Sequence, residues 1–166
     1  LTNRRIIIDS ALGEPSKCLN VLQQRISSTE AVNDLNWLRL RTWRETLAMV
    51  FDPAHRREIL NHVERVDIDI EGKHPVQGLL LIAWIADRLK WQVEKCRISS
   101  NSNYIAQFKR PDGGNVEFHL ISLPIGNPSI NPGKTIGIRL ICKTKDFLKN
   151  DVCVILGAQS QECIRL

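Results

Sequence analysis

The spacing of apolar positions divides the chain into two halves with different periods. In the first half they recur every three or four residues: Leu19, Leu22 and Ile26 share one helical face, and Trp43, Leu47 and Val50 share another. A short apolar run from Arg5 to Asp9 reads as a buried strand, and Gly13 and Pro15 supply the turn that follows it. Asp34 is placed to cap a first helical turn. Thr42 with Glu45 three residues later forms a capping box for the next helix, and Asp52-Pro53 offers an N-cap and a first-turn proline for one ending near His62.

In RVDIDIE, Val66, Ile68 and Ile70 alternate with charged residues, the pattern of a strand with one wet face. Pro75 to Leu89 is apolar almost all round and predicts a helix covered on more than one side. From Trp91 onward the period becomes two. Asn103 to Arg110 and Asn115 to Ser122 predict a hairpin around Asp112-Gly113-Gly114, with Phe108 opposite Phe118 and Lys109 opposite Glu117. After the Pro/Gly/Asn-rich stretch Pro124 to Gly133, two last strands are expected at Thr135 to Lys143 and Val152 to Gly157. Together these elements predict a single α/β (mixed α+β) domain over residues 1–166, a mixed sheet with helices packed on it, helix-rich first and antiparallel β-rich afterwards. Because it opens on Leu1 rather than methionine, the chain reads as part of a longer polypeptide.

Composition narrows the classes. The longest apolar run, Gly78 to Ala86, is well short of the ~20 residues a spanning helix needs, so no membrane partner is expected. A net charge of +5 is scattered, with no long Lys/Arg run, and nucleic acid is not an expected partner. Five cysteines without a CxxC pair fit a reducing compartment, with the cytoplasm as the default. Cys142 shares strand parity with Ile138 and Leu140, and Cys153 lies in the apolar DVCVILG, so both read as small buried hydrophobes. A hairpin would also bring these two thiols close to opposite, within bridging reach. Cys163 is the candidate for an exposed thiol, and Cys142, Cys153 and Cys163 are the redox candidates.

Catalytic patterns are weak. GKT at Gly133 to Thr135 lacks the first glycine of a phosphate loop and runs into a strand instead of a helix. Asp67, Asp69 and Glu71 share a strand face and read as solvated carboxylates, while His55, His62, His74 and His119 have no metal-ligand spacing. No GxSxG elbow is present. The expectation is a protein that is not an enzyme, with no catalytic residue, no metal site and no cofactor.

The segment NDLNWLRLRTWRE stands out. Arg39, Arg41, Arg44, Arg56 and Arg57 crowd against only Glu45, Asp52 and Glu58, too many cations to bury unpaired, so at least one face should be open. Trp and Arg together on an exposed helix are enriched at protein interfaces. On this reading Asp34, Asn36, Trp37, Arg39, Arg41 and Arg44 bind a partner. A second reading stands beside it, with both tryptophans in the core and the arginines solvated or salt-bridged; in either, Trp43 should be the more buried.

The succession IIIDS, DLNW, WRE, FDP, RVDIDI and GLLLIAWIADRLKW, from about Arg5 to Trp91, resembles the glucose-6-phosphate dehydrogenase assembly protein family, OpcA, in its cyanobacterial form. The resemblance implies a non-catalytic, allosteric activator that binds glucose-6-phosphate dehydrogenase and promotes its active oligomer in the oxidative pentose phosphate pathway. It also implies thiol control through thioredoxin, without assigning it to particular cysteines. The rival expectation is a phosphosugar- or nucleotide-binding enzyme domain using Asp9-Ser10 and the nearby arginines.

Overall fold

A computed structural model describes residues 5–28, 31–99, 103–127, 130, 132–143, 152–158 and 164–165. The helix-rich part comprises β1 (Arg5–Ile8), α1 (Pro15–Ser27), β2 (Ala31–Asp34), α2 (Leu35–Arg39), α3 (Arg41–Phe51), α4 (Ala54–Arg57) and a 3-10 turn (Glu58–His62). The rest is β3 (Val63–Glu71), α5 (Val76–Leu89), β4 (Gln92–Ile98), β5 (Tyr104–Lys109), β6 (Asn115–Leu123), β7 (Thr135–Cys142), β8 (Val152–Ala158) and β9 (Ile164–Arg165). The seven strands from β3 onward form one sheet in the order β4-β5-β6-β3-β7-β8-β9. Only β3 and β6 run parallel; every other neighbouring pair is antiparallel. The fold is the mixed α/β arrangement that the change of period predicts.

Period-two alternation puts Val66, Ile68 and Ile70 of β3, Phe118 and Leu120 of β6, and Ile138 and Leu140 of β7 on one side of the sheet, all buried. Helices α3 and α5 cover that side and contribute Trp43, Leu47, Phe51, Leu81, Ile82 and Ile85 to the same cluster. The near-continuous apolarity of α5 has the expected cause: Leu79, Leu80, Trp84 and Leu89 also pack against the core. Gly78 allows the close approach, since a Cβ there would stand 2.3 Å from Leu120 Cδ1. The helix ends at Lys90 in the left-handed conformation (φ 57°), from which Trp91 N–H donates back to the Ala86 carbonyl at 2.8 Å. Gln77, 4% exposed, ties α5 to its neighbours: its amide donates to Asn36 Oδ1 at 2.9 Å and its carbonyl accepts the Thr135 N–H.

Several local expectations are corrected. β1 is not buried in the main sheet; it pairs in parallel with β2 in a separate two-stranded sheet, leaving Ile7 67% exposed. Thr42 and Glu45 form no capping box, because α3 already begins at Arg41 behind Leu40, and Glu45 accepts from Arg41 Nε one turn earlier at 2.7 Å. Pro53, not Asp52, occupies the N-cap of α4. The β5–β6 loop is Pro111-Asp112-Gly113, one residue earlier than expected, closed by Arg110 N–H to the Gly114 carbonyl at 2.8 Å. Proline suits the first central position of a turn and Gly113 the positive φ (86°) that closes it. The shift moves every cross-strand partner by two, so Phe108 faces Val116, Gln107 faces Glu117 and Ala106 faces Phe118, with the parity unchanged.

The carboxylates of RVDIDIE are not solvated as expected. Asp67 is 4% and Asp69 8% exposed. Arg139, from the neighbouring strand β7, donates to both Asp69 oxygens at 2.6 and 2.9 Å, and Arg65 Nε donates to Asp67 at 2.7 Å. His119 and Glu117 of β6 extend the row. Around β3, β6 and β7 this side of the sheet, away from the helices, is therefore an internally neutralised ionic layer.

Candidate docking surface

The Trp/Arg segment folds as two short helices meeting at Leu40, which is fully buried. Asp34 caps α2 through the Asn36 N–H and also accepts from Ser10 N and Oγ, at 3.0 and 2.7 Å, across to the end of β1. Asn36 is 0% exposed and accepts from Gln77. Both side chains lie inside the fold, unlike the other four predicted contact residues. Of the six predicted contact residues, Trp37, Arg39, Arg41 and Arg44 remain accessible, with Leu35 and Leu38 exposed beside them.

Their cations are not alike. Arg39 makes a two-pronged pair with Asp9, at 2.7 and 2.8 Å, which raises the guanidinium's pKa and lowers that of the carboxyl. Arg41 pairs with Glu45, and Arg57 lies 3.6 Å from Asp52. Arg56 reaches the Val50 carbonyl, at 3.5 Å. Arg44 differs from all of these. Its guanidinium carbon lies 3.8 Å from the centre of the half-buried Trp37 ring, and its buried Nε has no hydrogen-bond partner among the described residues. Burial pushes its pKa below the ordinary guanidinium value; Glu45 opposes that shift, and Arg41 and Arg88 add to it. Trp43 is 5% exposed, the more buried indole as expected. The structure thus combines the two readings of the segment, with one tryptophan in the core and the other at the surface under an arginine that, among the described residues, lacks a carboxylate partner.

One helical turn beyond Arg44 the surface opens into a groove between α3 and α5 of about 710 Å³. Leu47, Ala48, Trp84, Ile85 and Leu89 supply its apolar walls, and Arg57 and Arg88 also line it. Sequence reasoning missed this groove and Arg88. The only signal was Arg88 four residues after Trp84, on the same helical stripe.

The other candidates are accounted for locally. Cys142 is 1% exposed, and burial pushes its thiol up to about 11. Cys153 is exposed, not buried as expected. Cys142 pairs with Val152 while Cys153 pairs with Ile141, so the two thiols point to opposite sides of the sheet and cannot be bridged in this register. Cys163 lies outside the described residues. Asp9 and Ser10, the rival ligand site, are engaged by Arg39 and Asp34.

Fold and surface together describe a mixed α/β domain with an apolar groove that Arg57, Arg88 and Asp52 also line. Residues 30–154 match the family described as the C-terminal domain of a glucose-6-phosphate dehydrogenase subunit, and the chain belongs to that family. It is 33% identical over 166 residues to the OxPP cycle protein OpcA of Synechococcus elongatus, covering 99% of this chain and 37% of that one. A second OpcA, from Nostoc punctiforme, is 30% identical over 164 residues, 97% of this chain and 35% of the relative. The chain therefore spans little more than a third of the length of these relatives. An oxidoreductase structure from Thermotoga maritima aligns with a TM-score of 0.44 and 13% identity over 87% of this chain and 50% of that one, too loose a likeness to bear on function.

Proposed function

We infer that this chain is the docking domain of a non-catalytic assembly factor, one that binds glucose-6-phosphate dehydrogenase in the oxidative pentose phosphate cycle and favours its active oligomer. The family supplies the partner. The observation that carries the reading is Arg44: a guanidinium stacked on Trp37, partly desolvated, unmatched by a carboxylate among the described residues, and one helical turn from an apolar groove. An acidic side chain of the partner would meet a cation whose desolvation has already been incurred in the free protein, which makes such a contact stronger than one to a fully hydrated arginine. Apolar residues beside that acid would fill the groove. To act as an activator, the domain must bind the active oligomer more tightly than the inactive form; a tenfold population shift requires about 1.4 kcal/mol of difference.

Calorimetric titration of the dehydrogenase with wild-type protein, Arg44→Ala and Ala48→Arg tests this. Ala48 is exposed and lines the groove, so its replacement blocks docking without touching the core. Each variant is expected to weaken binding at least ~30-fold, about 2 kcal/mol, as hot-spot residues do. Folded variants that bind as tightly as wild type would refute the reading.

A further inference from the structure

The seven-stranded sheet ends at β4, and among the described residues no strand pairs with its outer side. All seven of its residues are exposed. Such an edge presents a row of backbone N–H and C=O groups onto which an extended segment can add as a further strand. The helical layer stops short of it. Val93, Cys96 and Ile98 pair with Phe108, Ala106 and Tyr104 and so share the helix-bearing side, yet Val93 is 66% and Ile98 64% exposed.

On the opposite side stand Lys95 and Arg97, paired with Gln107 and Ile105 of β5, at a groove of about 500 Å³ that reaches Glu117 on β6. Among the described residues neither cation has a carboxylate within ion-pair distance. The nearby acids are engaged elsewhere, Glu94 lying 3.8 Å from Lys109 and Glu117 2.7 Å from His119. A register break between Val93 and Lys95 and the two cations are the devices that keep an edge from pairing with its own copy. An antiparallel pairing about Cys96 would set Lys95 against Arg97 of the second copy, and like charges directly opposite are destabilising. A strand carrying carboxylates at those positions meets the reverse situation.

We propose that β4 is a docking edge for an extended segment of a partner protein in which carboxylates alternate with apolar residues. The carboxylates lie opposite Lys95 and Arg97, and the apolar residues cover Val93, Cys96 and Ile98. The site shares no residue with the groove between α3 and α5, so it stands or falls independently of the dehydrogenase reading.

Hydrogen exchange of the β4 amides in the complete protein tests this with two blocked peptides, Thr-Val-Glu-Val-Glu-Val-Thr and its counterpart with lysine at both glutamate positions. The glutamate peptide is expected to slow exchange across β4 about tenfold at saturation and the lysine peptide to leave it unchanged. Lys95→Glu with Arg97→Glu, at two exposed positions, is expected to reverse that preference. Absence of protection with either peptide, or equal protection with both, would overturn the proposal. So would β4 amides already protected in the complete protein without a probe, because the edge would then belong to the protein's own chain.

Discussion

Single side chains show most clearly how this domain separates structural charge from available charge. Asp9 and Arg39 form a closed pair between the end of β1 and α2, and the Arg39 hydrogen bond is the main reason the Asp9 carboxyl titrates below its ordinary value. A carboxyl whose folded pKa is depressed stabilises the fold above its unfolded value, near pH 4, and loses that contribution as pH falls through the folded one. Asp9→Asn should therefore cost up to about 1 kcal/mol at neutral pH, a modest amount because Arg39 is partly exposed, and the gap to wild type should close below about pH 4. Urea unfolding of both proteins from pH 3 to 7 measures it; a gap that persists unchanged at pH 3 would contradict the pairing. Arg44 is the opposite case, a cation whose neighbours are an indole, two other arginines and a single glutamate already engaged by Arg41. Its residue type was legible in the sequence. Its isolation was not, because pairing depends on which carboxylates the fold brings near, and Asp9 reaches Arg39 from thirty residues away.

At the scale of elements, hydrophobic period read the strands and α5 well, since burial on one side of a sheet imposes parity whatever the partner strand. Register and caps were less legible. The β5–β6 loop was set by the local demands of Pro111 and Gly113, and moving it by one residue changed every cross-strand pair while keeping Phe108 and Phe118 on the buried side. Asp67 and Asp69 were misread as solvated because their partner, Arg139, lies some seventy residues away on β7. The seat of α5 on the sheet rests on Gly78. Gly78→Ala gains about 1 kcal/mol of helix propensity, but the new methyl must displace the fully buried Leu120 and press on Ile70 beside it. A net loss of about 1–2 kcal/mol is expected from overpacking, read as a lowered urea midpoint with unchanged slope. A variant as stable as wild type would show that the helix is less tightly seated than the geometry requires.

For the whole molecule, the decisive contrast is between the two sides of the sheet and the surface of the helical layer. Around β3 the ionic side neutralises itself through Arg139, Arg65 and their carboxylates, leaving Lys95 and Arg97 open at the β4 edge, whereas the helical layer leaves Arg88 lining an apolar groove with Arg44 one helical turn away. Which surface would be left open was not legible from the local sequence, since arginines and carboxylates occur on both. The most direct measurement is a hydrogen-exchange footprint of the domain with and without glucose-6-phosphate dehydrogenase. Slowed exchange is expected in Trp37 to Phe51 and Leu80 to Leu89, the segments that frame the groove, with the β3–β7 ladder unchanged. Complex formation that leaves both helical segments at their free rates, or that protects only the ionic side of the sheet, would contradict docking through the groove.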